Sequence, residues 1–110
     1  MKMFEYKLTI GLFDKDTKKQ EIETEPAKKL ITKILIDKFN ITAFTLINCT
    51  GVYQMSSDGS IIYEPSIRLE ISTMEAIAER DYRNIIAELK KGLNQETIMI
   101  KVSVSDIDFI

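Results

Sequence analysis

The sequence predicts an α+β protein of the ferredoxin-like βαββαβ plan: a four-stranded antiparallel sheet with two helices on one face. Three observations predict it. Apolar residues alternate in four stretches and recur at helical spacing in two, in the order strand, helix, strand, strand, helix, strand. Ser57-Asp58-Gly59 supplies a tight turn between the second and third alternating stretches. A chain of 110 residues that is 45% hydrophobic has enough apolar surface for one core, so a single domain over 1–110 is expected.

The elements follow in order. Phe4, Tyr6, Leu8, Ile10 and Leu12 alternate with Glu5, Lys7 and Thr9, as in a half-buried strand. Gly11 near its end suggests a bend or a close approach. Asp14 to Glu23 is polar and charged and reads as a mobile loop. Thr24-Glu25-Pro26 is a helix start, with a capping residue, an acid and a proline in the first turn. Ala27, Leu30, Ile31, Ile34 and Leu35 form the apolar stripe of that helix, and Asn40 ends it.

The second strand is expected over 41–54 and the third over 60–72, joined as a long hairpin. Pro65 lacks a ladder donor and so suggests a bulge or a frayed part of the third strand, and Gly51 suggests a bulge in the second. Ser72 with Glu75 fits a capping box for a second helix. Its stripe is Ile77, Ala78, Tyr82, Ile85, Ile86, Leu89 and Leu93, with Gly92 and Asn94 near its end. Ile98, Ile100, Val102 and Val104 alternate as the last strand.

This pattern assigns Tyr6, Leu8, Ile10, Ile67, Leu69, Ile71, Ile98, Ile100 and Val102 to the face under the helices. The other face carries Glu5, Lys7, Thr9, Arg68, Glu70 and Lys101. An RNA-recognition domain would place stacking aromatics there, and none is present. Net charge is -2, without the clustered Lys and Arg that duplex nucleic acid calls for. The second strand is apolar on both sides: Ile41, Ala43, Thr45, Ile47 and Cys49 on one, Phe44 and Leu46 on the other. An edge strand of that kind fits a contact with another protein or a second copy, and Tyr53 and Tyr63 on the hairpin join it as interface candidates.

The chemistry-bearing residues are sparse. With no histidine, Ser-His-Asp and Cys-His sites and a Cys/His metal cluster are excluded. Cys49 is the only cysteine; it is expected to be buried, and a lone thiol fits a reducing cytosol. Asp14-x-Asp16 and Asp106-x-Asp108 lie at opposite rims and read as solvated. Glu75 and Glu79 read as acids at a helix start. No leader peptide and no membrane span is apparent, so a soluble, cytoplasmic protein is expected. The abundance of Lys and Ile fits an AT-rich genome, that of a low-GC bacterium, its phage or a mobile element.

With the hairpin in place, the chain resembles an uncharacterised family of small bacterial βαββαβ domains. The likeness rests on Tyr6 to Gly11-Leu12, Gly51-Val52-Tyr53, Gly59-Ser60-Ile61, Glu64-Pro65-Ser66 and Gln95-Glu96-Thr97. The loop after Leu12 and the Lys-rich first helix depart from it. The resemblance implies a fold and no activity. The chain is therefore expected not to be an enzyme, with no cofactor and no metal. The first functional expectation is a binding protein acting through protein–protein contact, such as a phage or mobile-element inhibitor of a host defence complex. The second is an oligomeric sensor of a nucleotide or metal, similar to trimeric signalling proteins of this fold. Its binding rim would hold Asp14, Asp16, the Met55 to Gly59 turn and Gln95-Glu96.

Overall fold

The computed structural model describes residues Met1–Ile110. Four strands, β1 (Lys2–Gly11), β2 (Thr45–Gln54), β3 (Ile61–Thr73) and β4 (Met99–Asp106), form one antiparallel sheet in the order β2-β3-β1-β4. Helices α1 (Thr24–Lys33) and α2 (Glu79–Leu93) cover one face. The ferredoxin-like plan thus holds. Its core is the alternating set Tyr6, Leu8, Ile10, Ile67, Leu69 and Ile71, packed under Ala27, Ile31, Leu35, Ile85, Leu89 and Leu93. Each large side chain buried here removes about 1.5–3 kcal/mol worth of apolar surface from water.

Register explains which face each residue takes. Leu8 opposes Leu69 and Ile100, whereas Lys7 opposes Glu70 and Lys101. The face away from the helices is therefore polar in its centre, as the alternation predicts. Val102 opposes Tyr6 on the helix side but is 49% exposed, because the helices do not reach over that part of edge strand β4.

Several local expectations are corrected. The second strand starts at Thr45 rather than Ile41. α1 runs on into a π-helical turn, Ile34–Lys38, and Asn40 turns the chain with φ 53°; Ile41 N–H then donates to the Leu35 carbonyl at 3.0 Å. Ile41 so packs against the core from the helix layer, and Ala43 lies in the crossing to the sheet. Neither Gly51 nor Pro65 makes a bulge: Cys49↔Ser66, Thr50↔Pro65 and Gly51↔Glu64 pair in unbroken register. The Pro65 carbonyl accepts from Leu12 N–H at 2.9 Å, so the missing proline donor costs a return bond on the β1 side and none to β2.

α2 begins at Glu79, not at the Ser72–Glu75 box, since Ser72 still pairs with Glu5 inside β3. The segment between is held from the core instead: the Tyr6 hydroxyl accepts from Ile77 N–H at 2.6 Å. Glu75 therefore precedes the helix, while Glu79 pairs with Arg83 at 3.2 Å. Asn94, in the left-handed region at φ 49°, closes α2. Cys49 is half-buried on the edge strand rather than part of the core. No helix is long and apolar enough to cross a membrane.

A candidate ligand pocket at the hairpin rim

Pairing between β1 and β3 stops at Gly11↔Ser66, but β3 pairs with β2 down to Ile61↔Gln54. Residues Ile61–Pro65 and their partners therefore overhang the sheet as a two-stranded ribbon, about 17 Å long at the usual strand rise. Its tip is closed by Met55–Ser60, with Gly59 at φ 75° and the Asp58 carboxylate accepting from the Ser60 N–H and hydroxyl at 2.9 and 2.7 Å. Alternation along the overhang points Tyr53, Ile62 and Glu64 to the polar face. Val52 and Tyr63 point to the other side.

Under the overhang lies an open cavity of about 470 Å³, within the range of small-molecule sites. Three segments meet there: the ribbon with Tyr53, Met55, Ile62 and Glu64, the turn after β1, and the chain after α2 with Gln95 and Glu96. Glu64 lies at the junction. Its carboxylate accepts from the Phe13 N–H at 2.9 Å and occupies the space where a Gly11 side chain would be. A Cβ at Gly11 would overlap that carboxylate, so the glycine is what admits it. Gln95 is buried, and its Nε2 donates to the carbonyls of Phe13 (2.9 Å) and Leu93 (3.3 Å), which ties α2 to β1 beneath the cavity.

The turn after β1 is not the loose loop the sequence suggests. Phe13 bridges Gln20, and Asp14 exchanges backbone bonds with Lys18 and Lys19. Asp14 Oδ1 accepts from the Asp16 and Thr17 N–H groups at 2.8 and 3.1 Å. Asn94 Nδ2 donates to Asp14 Oδ2 at 2.8 Å and to Asp16 Oδ2 at 2.9 Å, and Lys15 N–H donates to the Asn94 carbonyl at 3.0 Å. The Asn94 amide, with the Thr17 and Asp16 N–H groups, holds the Asp14 carboxyl below the ordinary carboxylate value. Loop, helix end and cavity wall are one hydrogen-bonded unit.

Most of the expected rim is thus brought together, but of the Met55 to Gly59 turn only Met55 reaches the cavity. Asp14, Met55, Gln95 and Glu96 line the cavity, and Asp16 braces its wall. The six interface candidates are dispersed. Thr45 and Ile47 are exposed on the polar face of β2, Tyr53 lines the cavity and Tyr63 faces away from it, while Ile41 and Ala43 lie before the strand. Sequence reasoning missed Lys15, Lys18 and the role of Glu64. The signal was present in the pairing: Gly11 faces Ser66, and Glu64 is the next residue of β3 on that face.

No protein-family model and no curated protein sequence matches the chain. Solved structures do. A phage SAM lyase in complex with S-methyl-5'-thioadenosine is similar over 92% of this chain and 80% of its own, at 19% identity and a TM-score of 0.62. CutA from Synechococcus elongatus is similar over 94% and 80%, at 10% identity and a TM-score of 0.59. GlnK from B. subtilis, in its ATP complex, is similar over 93% and 82%, at 14% identity and a TM-score of 0.55. At these identities the likeness is one of fold, and the resemblance to small ferredoxin-like domains holds at that level. The expectation that the chain is not an enzyme is corrected by the first match. The same fold, over nearly the whole chain, carries a lyase.

Proposed function

We propose that the chain is a SAM lyase, cleaving S-adenosylmethionine at the rim cavity and releasing S-methyl-5'-thioadenosine. The observation that carries this reading is the charge of the cavity. Asp14, Glu64 and Glu96 face Lys15 and Lys18, three carboxylates against two ammonium groups. S-Adenosylmethionine has a sulfonium, an ammonium and a carboxylate, so an excess of one negative charge in the cavity meets an excess of one positive charge in the ligand. ATP, with several negative charges, is opposed by the same set.

The reaction needs no histidine and no water. One oxygen of the substrate carboxylate attacks the γ-carbon of the methionine moiety, forming a five-membered lactone. The bond from that carbon to sulfur breaks, and its electron pair stays on sulfur, giving neutral S-methyl-5'-thioadenosine and homoserine lactone. Opposite charges cancel in the transition state, which a cavity partly closed to water favours. Glu64 accepts from the substrate ammonium and so turns the carboxylate toward the γ-carbon. Tyr53 offers a ring face to the adenine or the sulfonium.

The cavity is open to solvent. A second copy of the chain, docked on the polar face around Thr45, Ile47 and Tyr53, would close it, and the protein acts as a homo-oligomer in this reading. A phage origin also fits, since depleting a host's S-adenosylmethionine disables enzymes that use it without any protein–protein contact. Such a substrate implies a cytosolic site of action.

The test is incubation of purified protein with S-adenosylmethionine, with chromatographic detection of products. S-Methyl-5'-thioadenosine and homoserine lactone should appear in equal amounts, and Glu64→Gln should reduce the rate at least about 100-fold, the scale of a lost charged contact at a reacting centre. Absence of turnover at micromolar protein over hours would sink the lyase reading. ATP binding without turnover would then favour the nucleotide-sensor alternative, against the net charge of the cavity.

A further inference from the structure

We infer that Lys15 and Lys18 form the subsite that selects the amino-acid end of the ligand, through its carboxylate. The inference rests on the lyase reading and adds to it which residues separate S-adenosylmethionine from its own product. Both lysines line the cavity, both are exposed, and neither is engaged in a salt bridge. Four other exposed lysines, Lys29, Lys33, Lys38 and Lys91, lie on α1, its π-turn and the end of α2, so exposure alone does not distinguish these two. Their backbone does.

Lys15 N–H is bound to the Asn94 carbonyl, and Lys18 N–H to the Asp14 carbonyl at 2.9 Å. Lys18 has φ 62°, a left-handed conformation that a lysine adopts only where the surroundings enforce it. Asp14 and Asn94 enforce it, by closing the turn on itself and fastening it to the end of α2. Two long cationic side chains thus start from fixed points on the turn that lines the same cavity as Glu64. A ligand with an ammonium and a carboxylate on one carbon finds an acceptor in Glu64 and donors in the two lysines within one cavity. One carboxylate oxygen is held by a lysine and the other remains free to attack.

This arrangement makes the lysines irrelevant to S-methyl-5'-thioadenosine, which lacks both groups. The test compares that compound with S-adenosylhomocysteine. The latter is also a neutral thioether, keeps the amino-acid end and has no sulfonium to expel. Dissociation constants are measured by calorimetry on the full chain and on the K15A/K18A double variant. Affinity for S-adenosylhomocysteine should fall about tenfold or more, as expected for losing charge-assisted contacts. Affinity for S-methyl-5'-thioadenosine should stay within about twofold, which also reports that the variant is folded. The K15R/K18R variant should restore binding of S-adenosylhomocysteine. If the alanine variant binds both compounds as the unaltered chain does, or weakens both equally, the lysine subsite is wrong while the lyase reading stands. If the unaltered chain binds neither compound, both fail together.

Discussion

Two halves of the same β2–β3 hairpin obey the same alternation and meet opposite fates. In the inner half Leu69, paired with Leu46 and Leu8, lies wholly buried under the helices. In the overhang Val52 and Tyr63, paired with each other on the continuation of that face, are 60% and 65% exposed. Nothing in the local pattern separates them. The difference is what lies above: α1 begins and α2 ends near the rim where β1 ends, and beyond Ser66 the ribbon is bare. The cavity sits at this boundary, where a rigid sheet gives way to a strand pair that only a ligand or another chain can cover. Burial, and the stability it brings, is confined to the covered half.

The largest effect expected from breaking this contrast is in the covered half. Leu69→Ala should cost about 2–5 kcal/mol, measured by denaturant unfolding, because a wholly buried leucine leaves a cavity its neighbours cannot fill. Tyr63→Ala on the bare half should change monomer stability by less than about 0.5 kcal/mol. A comparable loss at both positions would mean that the overhang is packed and the contrast is false. Next in size is Ile47→Asp. Ile47 is 41% exposed, opposite Arg68 on the polar face. The new carboxylate should leave the thermal midpoint nearly unchanged and, if copies dock there, convert the assembly to monomer by sedimentation. Unfolding instead of dissociation would show that this side belongs to the monomer core.

Gly11→Ala sharpens the boundary itself. The added methyl would displace the Glu64 carboxylate and its bond from Phe13 N–H, without touching the core beneath Ile10. Turnover of S-adenosylmethionine should fall about tenfold or more, with a stability loss of about 1 kcal/mol, the scale of one hydrogen bond. A variant with full turnover would show that the Glu64 position is incidental.

The sheet and its two faces were legible because alternation needs only local pattern. The start of α2 was not, since the Ser72–Glu75 box is locally sound but β3 pairing with Glu5 claims Ser72 first. The start of β2 was missed for a related reason: Ile41 and Ala43 continue the alternation of β2, but the turn at Asn40 keeps Ile41 on the helix layer. At the site, the rim residues Asp14, Met55, Gln95 and Glu96 could be named from topology alone. Glu64 could not, because its importance lies in the absence of a side chain at Gly11, 53 positions earlier in the chain and adjacent only in the folded register.

The smallest effect concerns the clamp that holds the cavity wall. Asn94, then the Thr17 and Asp16 N–H groups, lower the Asp14 pKa below 3.8. A carboxylate depressed in the folded state stabilises it at pH values above the unfolded pKa, and that contribution fades as pH falls through the lowered folded value. The clamp is therefore intact at neutral pH and loosens only in acid, and because Asp14 remains partly open to solvent its share of global stability is small. Asn94→Gly keeps the left-handed backbone that φ 49° requires and removes only the amide. Carboxyl NMR titration should then show the Asp14 pKa moving up toward 3.8. The Glu88 titration, lowered by its own bond from Lys38 on the helix face, should stay unchanged as the internal control. Equal movement of both would mean a general loosening of the fold, and the wall of the cavity would then owe its position to the core rather than to Asn94.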